Sequence, residues 1–166
     1  MQNIFTADPI EALKMSIQSE KEMRAFYNKA ASLIEDDDAR TILLGFAGHA
    51  DKHRQSSIDM YSKFSGKKIL FLNLDKRHKL TTLQRCSEDF YDAIRIAKRN
   101  EKEMSAFYST VARRFMEPDL RSFFRKLATD NHQHLTLLEA SFEEPLDENV
   151  ETSDHSLLGR VAQENQ

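Results

Sequence analysis

A chain of 166 residues with a formal charge of −3 has no general attraction for nucleic acid or an anionic membrane, and it is long enough to bury a core without staples. Only four Gly and three Pro occur beside 40% hydrophobic and 31% charged residues, which argues for long helices in a globular fold. Cys86 is the single cysteine, so a disulfide framework, a zinc knuckle and a paired-cysteine iron site are excluded. Met1 to Thr6 carries neither the basic nor the apolar region of a signal peptide, and the longest apolar run, Ile69 to Leu74, is too short to span a bilayer. The expected location is the cytoplasm.

The first predicted element opens at Asp8-Pro9-Ile10-Glu11, which combines an N-cap Asp, Pro in the first turn and Glu at N3. It runs to about Ile34 and carries Leu13, Glu20, Tyr27 and Ile34 at heptad spacing, with Ile17, Met23 and Ala30 between them. Asp36-Asp37-Asp38 makes a turn and caps a second helix, whose inner face is read as Ile42, Phe46, His49, His53, Ser56 and Met60. A link over 65–85 follows, with Lys67, Lys68, Lys76, Arg77 and Lys79 flanking its apolar run. That run is expected to pack on the side of the helices. The third helix presents Ile94, Ala97, Glu101, Met104, Tyr108, Val111 and Phe115. Pro118 opens the fourth, with Phe123, Leu127, Asp130, His134, Leu137 and Ser141 facing inward. After Glu144 the chain is acidic and polar apart from Leu157, Leu158 and Val161.

The two halves repeat each other. Glu20-Lys-Glu-Met-Arg-Ala-Phe-Tyr27 recurs as Glu101-Lys-Glu-Met-Ser-Ala-Phe-Tyr108, and the same 81-residue offset places His53 on His134 and His49 on Asp130. Over 12–53 against 93–134, 13 of 42 positions are identical. The expected architecture is all-α: hairpin 8–64, crossover 65–85 and hairpin 86–142 form one four-helix bundle over 1–145, with a tail at 146–166.

Glu20, Tyr27, His49, His53, Glu101, Tyr108, Asp130 and His134 interrupt otherwise apolar faces. An unpaired charge there costs several kcal/mol, on the order expected for a buried ion, so these groups require partners. Mutual hydrogen bonding is one solution. A metal ion is the other, because carboxylate oxygen and imidazole nitrogen suit iron, manganese or zinc.

Glu followed seven positions later by Tyr, then a Phe/Leu-Ala-x5-His run, in both halves and joined by one crossover, resembles the rubrerythrin and ferritin-like di-iron family over about residues 8–142. The resemblance implies a ferritin-like bundle. It makes Glu20 and Glu101 terminal carboxylate ligands, His53 and His134 histidine ligands, and Tyr27 and Tyr108 supporting tyrosines. It also implies iron and, if the chain is an enzyme, a non-haem iron oxidoreductase acting on peroxide or oxygen with a separate electron donor.

The pattern departs from the family where its bridging glutamates should stand: Ala50 and Asn131 lie three residues before the two histidines, and Met104 replaces a further carboxylate. Two carboxylates balance one divalent ion, whereas a pair needs four. The expectation is therefore an altered Glu/His site, either mononuclear with one iron, zinc or manganese, or rearranged to hold two metals with His49 and Asp130, one turn before the histidines, completing it; alternatively His49 and Asp130 pair with each other across the bundle. The alternative function is a non-catalytic bundle with a structural metal or none, acting as a binding or interaction protein. Homodimerisation is expected of such bundles.

Overall fold

The computed structural model describes residues 8–68 and 79–143. Four helices account for most of them: α1 (Pro9–Ser32), α2 (Asp37–Ser65), α3 (Phe90–Arg114) and α4 (Pro118–Ser141). At 24 to 29 residues each, they are about 36–44 Å long at the α-helical rise. The apolar run from Ile69 and the tail beyond Glu143 lie outside the described residues. Among the described residues no helix is long and apolar enough to cross a membrane.

Local chemistry sets the helix ends. The Asp8, Asp36 and Asp89 carboxylates each accept the backbone N–H three residues on, from Glu11, Ala39 and Asp92, at 2.8 Å. At α4 the N-cap is Glu117, which makes no such bond; Pro118 supplies the helical φ instead. Gly66 ends α2 with φ 69°, a left-handed conformation that a side chain would strain, and its N–H reaches the Ser62 carbonyl at 3.0 Å.

α1 packs on α2 and α3 on α4, and the hairpins then meet through α1 with α3 and α2 with α4. Leu13, Leu43, Leu120, Phe124, Met104 and Tyr108 are fully buried in one continuous core. Four inner-face assignments shift by one residue from the sequence expectation. Leu43, Ser57, Phe124 and Leu138 are buried, while Ile42 and Phe123 are only partly buried and Ser56 and Leu137 face outward; His49 and Ser141, also expected to face inward, are exposed. A 3.6-residue period leaves either neighbour admissible toward a helix end, and packing on the opposing hairpin decides.

The end of the crossover, from Lys79 on, is strapped to the bundle. Along α1 six consecutive residues, Met15 to Glu20, are buried, so this stretch is covered on every side. Leu80 and Leu83 of the crossover are buried with it. The Leu80 N–H donates to Ser19 Oγ at 2.8 Å; the Gln84 N–H donates to Asn100 Oδ1 at 3.0 Å, and Asn100 Nδ2 donates back to the Gln84 carbonyl at 2.9 Å. Ser19 and Asn100 occupy the same place in the two repeats, each just before the repeated glutamate. The strap thus fixes both glutamate-bearing turns from behind.

Candidate metal centre

Glu20 and Glu101 are each 1% exposed and face one another's half of the bundle. The repeat makes their support reciprocal: the Tyr27 hydroxyl on α1 donates to Glu101 Oε1 on α3 at 2.5 Å, and the Tyr108 hydroxyl on α3 donates to Glu20 Oε1 on α1 at 2.7 Å. Burial, and then the facing glutamate, push both phenols well above the usual tyrosine range. Both remain protonated donors. Tyr27 is also wedged against Phe26 and Phe46, ring centroids 5.6 and 5.2 Å away, so its hydroxyl is aimed by packing.

The histidines approach the same carboxylates from α2 and α4. His53 Nδ1 lies 3.5 Å from Glu20 Oε1, and His134 Nδ1 lies 3.6 Å from Glu101 Oε2. Both separations are too long for a good hydrogen bond, and His53 Nδ1 is a buried atom with no hydrogen-bond partner. The two imidazoles stack, with centroids 5.9 Å apart, so the two Glu–His pairs share one region of the core.

His49 and Asp130 do not pair with each other. Each instead meets the histidine of the other half: Asp130 Oδ2 is 3.0 Å from His53 Nε2, and His49 Nδ1 is 3.0 Å from His134 Nε2. In antiparallel α2 and α4 the residue one turn before one histidine falls opposite the other histidine, which rules out direct pairing. Asp130 also receives Lys126 at 2.6 Å. Burial pushes the Asp130 carboxyl up, but Lys126 and His53 outweigh it and hold it below the ordinary range. Burial likewise pulls His53 down, but the hydrogen-bonding reach and charge of Glu20 and Asp130 lift it above the ordinary imidazole. His49 lies below it, through burial and then the neighbouring His134 and His53.

The positions three residues before the histidines behave differently in the two halves. Ala50 is buried and offers no polar atom. Asn131 is also buried, and its Nδ2 donates to Glu101 Oε2 at 2.8 Å, leaving its Oδ1 without a partner. A carboxylate-bridged metal pair does not fit these residues. Among the described residues, no three His, Cys, Asp or Glu side chains converge closely enough to hold an ion as they stand, and Asn131 uses its N–H, not an oxygen, toward the centre.

Several participants were not anticipated from the sequence. Ser16 Oγ lies 2.9 Å from the Tyr108 hydroxyl and 2.7 Å from Ser57 Oγ, a buried polar chain that only the first half possesses, since Ala97 and Leu138 stand at the repeat-equivalent places. The signal was a serine on an otherwise apolar face at the same level as Tyr108. Asp51, His132 and Glu22 lie off the centre; Asp51 pairs with Arg24 on the surface. Cys86 is half-buried beside a cavity of about 310 Å³ under the crossover, away from the glutamates, and burial pushes its thiol up.

The rubrerythrin family model matches residues 11–142. Among solved structures, a hypothetical protein from Pyrococcus furiosus is similar at 26% identity, covering 86% of this chain and 92% of that one, with a TM-score of 0.73. A search of curated proteins finds no match.

Proposed function

The chain belongs to the rubrerythrin family, and from that premise we propose that it takes up one divalent cation, iron, zinc or manganese, in the buried cluster of Glu20, His53, Glu101 and His134, whose side chains have to close on it because no three converge as they stand. The carrying observation is the pair of unbonded Glu–His contacts at 3.5 and 3.6 Å with His53 Nδ1 left orphaned. Two ligands of one ion, each about 2.0–2.2 Å from it, come to lie close to this far apart, whereas hydrogen-bonded partners lie nearer 2.9 Å. Charge supports the count. Two carboxylates neutralise one doubly charged ion, and a second ion would leave net positive charge in a low-dielectric core.

Iron bound there would supply redox chemistry toward peroxide or oxygen, with electrons from a separate donor. The protein's own contribution is to hold two carboxylates and two imidazoles in a water-poor core, with Tyr27 and Tyr108 orienting the carboxylates. The paired-metal activity typical of the family has no support here, because Ala50 and Asn131 remove both bridges.

A second reading is a metal-free bundle acting as a binding protein. The observation favouring it is the Asn131–Glu101 hydrogen bond, which satisfies a carboxylate without a metal. Thermal unfolding separates the two. Micromolar zinc, or ferrous iron under anaerobic conditions, raises Tm if the cluster binds metal; saturation to 100 times Kd adds about 2.7 kcal/mol, roughly 5–11 °C for a chain this size. A Tm indifferent to metal and to chelator sinks the metal reading and leaves the second.

A further inference from the structure

The two ends of the bundle carry opposite charge. Tyr27 of α1 reaches Glu101 of α3 and Tyr108 of α3 reaches Glu20 of α1, so these helices run antiparallel and the α3–α4 turn lies at the opposite end from the α1–α2 turn. Arg113, Arg114, Arg121 and Arg125 gather around the α3–α4 turn, with only Glu117 and Asp119 between them, and Lys63 takes Asp119 at 2.6 Å. Among the described residues Arg113, Arg121 and Arg125 have no ion-pair partner. Asp8, Glu11 and Asp59 share this end but are outnumbered there by Lys14, Lys63, Lys67 and Lys68. The other end is acidic. Glu35 to Asp38 form an unbroken acidic run at the α1–α2 turn, Glu88, Asp89 and Asp92 stand at the start of α3, and Glu139 and Glu143 at the end of α4, against Lys29, Arg40, Arg95 and Lys98.

Each end also carries an apolar feature. Met116, in the α3–α4 turn, is 87% exposed among the arginines. At the acidic end Ile34, Phe90, Ile94 and Phe142 line a groove of about 280 Å³, with Asp36 and Glu143 beside it and Tyr91, 62% exposed, at its rim. Phe90 and Phe142 meet edge to face at 5.9 Å, and Lys98 Nζ donates to the Phe142 carbonyl at 2.9 Å, so the groove wall is fixed by contacts of its own. Arg95, which also lines the groove, is held by Asp92. A protruding methionine set in positive charge and an apolar groove set in negative charge match in shape and in sign.

We propose that copies of this chain dock head to tail, the Met116 turn of one copy seating in the Phe90–Phe142 groove of the next, with the arginines of the turn facing the carboxylates around the groove. The ends are separated by helices about 36–44 Å long, several Debye lengths at physiological salt, so each end meets its partner independently of the other. The contact is heterologous: every added copy leaves a groove open at one end and a turn at the other, so association has no fixed stopping point. With helices about 10–12 Å across, two facing bundle ends bury together roughly 800–1,200 Å², the size of weak and transient interfaces. The association is therefore reversible and weakened by salt.

The test is analytical ultracentrifugation of the full chain and its variants over a range of concentrations, at about 20 mM and about 300 mM salt, with circular dichroism confirming each fold. The wild-type mass rises with concentration at the lower salt without levelling at a dimer, and the association constant falls at least about tenfold at the higher salt. Arg121→Glu with Arg125→Glu, and separately Glu35→Lys with Glu143→Lys, each weaken association at least about tenfold. Mixing these two variants restores it, because each then supplies the end that the other lacks. Met116→Ser weakens association about tenfold, the loss expected for one buried methionine. None of these changes touches Glu20, His53, Glu101 or His134, so the outcome is independent of metal binding. A wild-type chain monomeric throughout, a mass that levels at two copies, or indifference to either charge reversal overturns the head-to-tail contact. Unchanged association of Met116→Ser overturns the seat in the groove. Association lost on Asp147→Asn, Glu148→Gln, Glu151→Gln and Asp154→Asn together, but kept in Glu35→Lys with Glu143→Lys, overturns the proposal in favour of the acidic tail as the partner of the basic end.

Discussion

Replacing Tyr27 with Phe removes one oxygen atom and tests whether the reciprocal tyrosine–glutamate bonds hold the hairpins together. The ring keeps its contacts with Phe26 and Phe46, so no cavity larger than the hydroxyl forms. What is lost is a buried donor, 2.5 Å from Glu101 Oε1 in a residue only 1% exposed. A hydrogen bond to a charged group contributes about 1.5–3 kcal/mol, and at this burial water cannot replace it without reorganising the core. Taking about 2 kcal/mol, at roughly 2–4 °C of Tm per kcal/mol for 150–250 residues, the variant should melt about 4–8 °C below wild type. The assay is thermal and urea denaturation of metal-free protein, with Tyr27→Phe, Glu101→Gln and the double variant forming a cycle. The coupling should exceed about 1 kcal/mol, and m should stay constant. A cycle that closes with no coupling would show that the hydroxyl does not stabilise Glu101, and the account of a paired polar core would fail with it.

Leu43→Ala removes a fully buried side chain where α2 packs on the core and should cost about 2–5 kcal/mol in urea unfolding; a cost under 1 kcal/mol would mean the bundle collapses around the gap. Ser19→Ala with Asn100→Ala cuts the strap's bonds, so the Leu80 and Gln84 amides should exchange with deuterium at least about tenfold faster while the α1 and α3 amides keep their protection. Unchanged exchange would assign the strap's hold to Leu80 and Leu83 alone. In metal-free protein His49 should titrate below 6.5 and His53 above it, read by NMR of the imidazoles. For His49, whose folded value is depressed, the stability contribution is present above the unfolded value near 6.5 and is lost as pH falls through the folded value. For His53, whose folded value is raised, the contribution is complete below the unfolded value and is lost as pH rises through the folded one. Coincident midpoints for the two histidines would contradict the different partners assigned to them.

The bundle was legible because its signals are local or periodic. The Asp8, Asp36 and Pro118 starts, the inner faces of α1 and α3 and the duplicated Glu-to-Tyr segment each depend on residues close in sequence, and each stands where expected. Glu20, Glu101, His53 and His134 were found because charge on an apolar face is costly enough to require a reason. What escaped depends on register between helices distant in sequence. Whether His49 meets Asp130 or His134 is decided by how far α4 slides along α2, which no periodicity encodes. The bond from Asn131 to Glu101 has the same origin. The sequence shows that no carboxylate stands at Asn131, but its donor role appears only once α3 and α4 are aligned. Ser19 and Asn100 escaped because they face away from the centre, toward a crossover with no helical period to predict its path.

The central claim is that this member of the family accommodates one metal ion where a bridged pair would need two more carboxylates. Native mass spectrometry of the chain titrated with zinc, and with ferrous iron under anaerobic conditions, measures that number directly. Saturation at one ion per chain, abolished by Glu20→Gln with His53→Gln, is the predicted result. Saturation at two ions in the wild-type chain, or no bound metal at any concentration that leaves the fold intact, would contradict it.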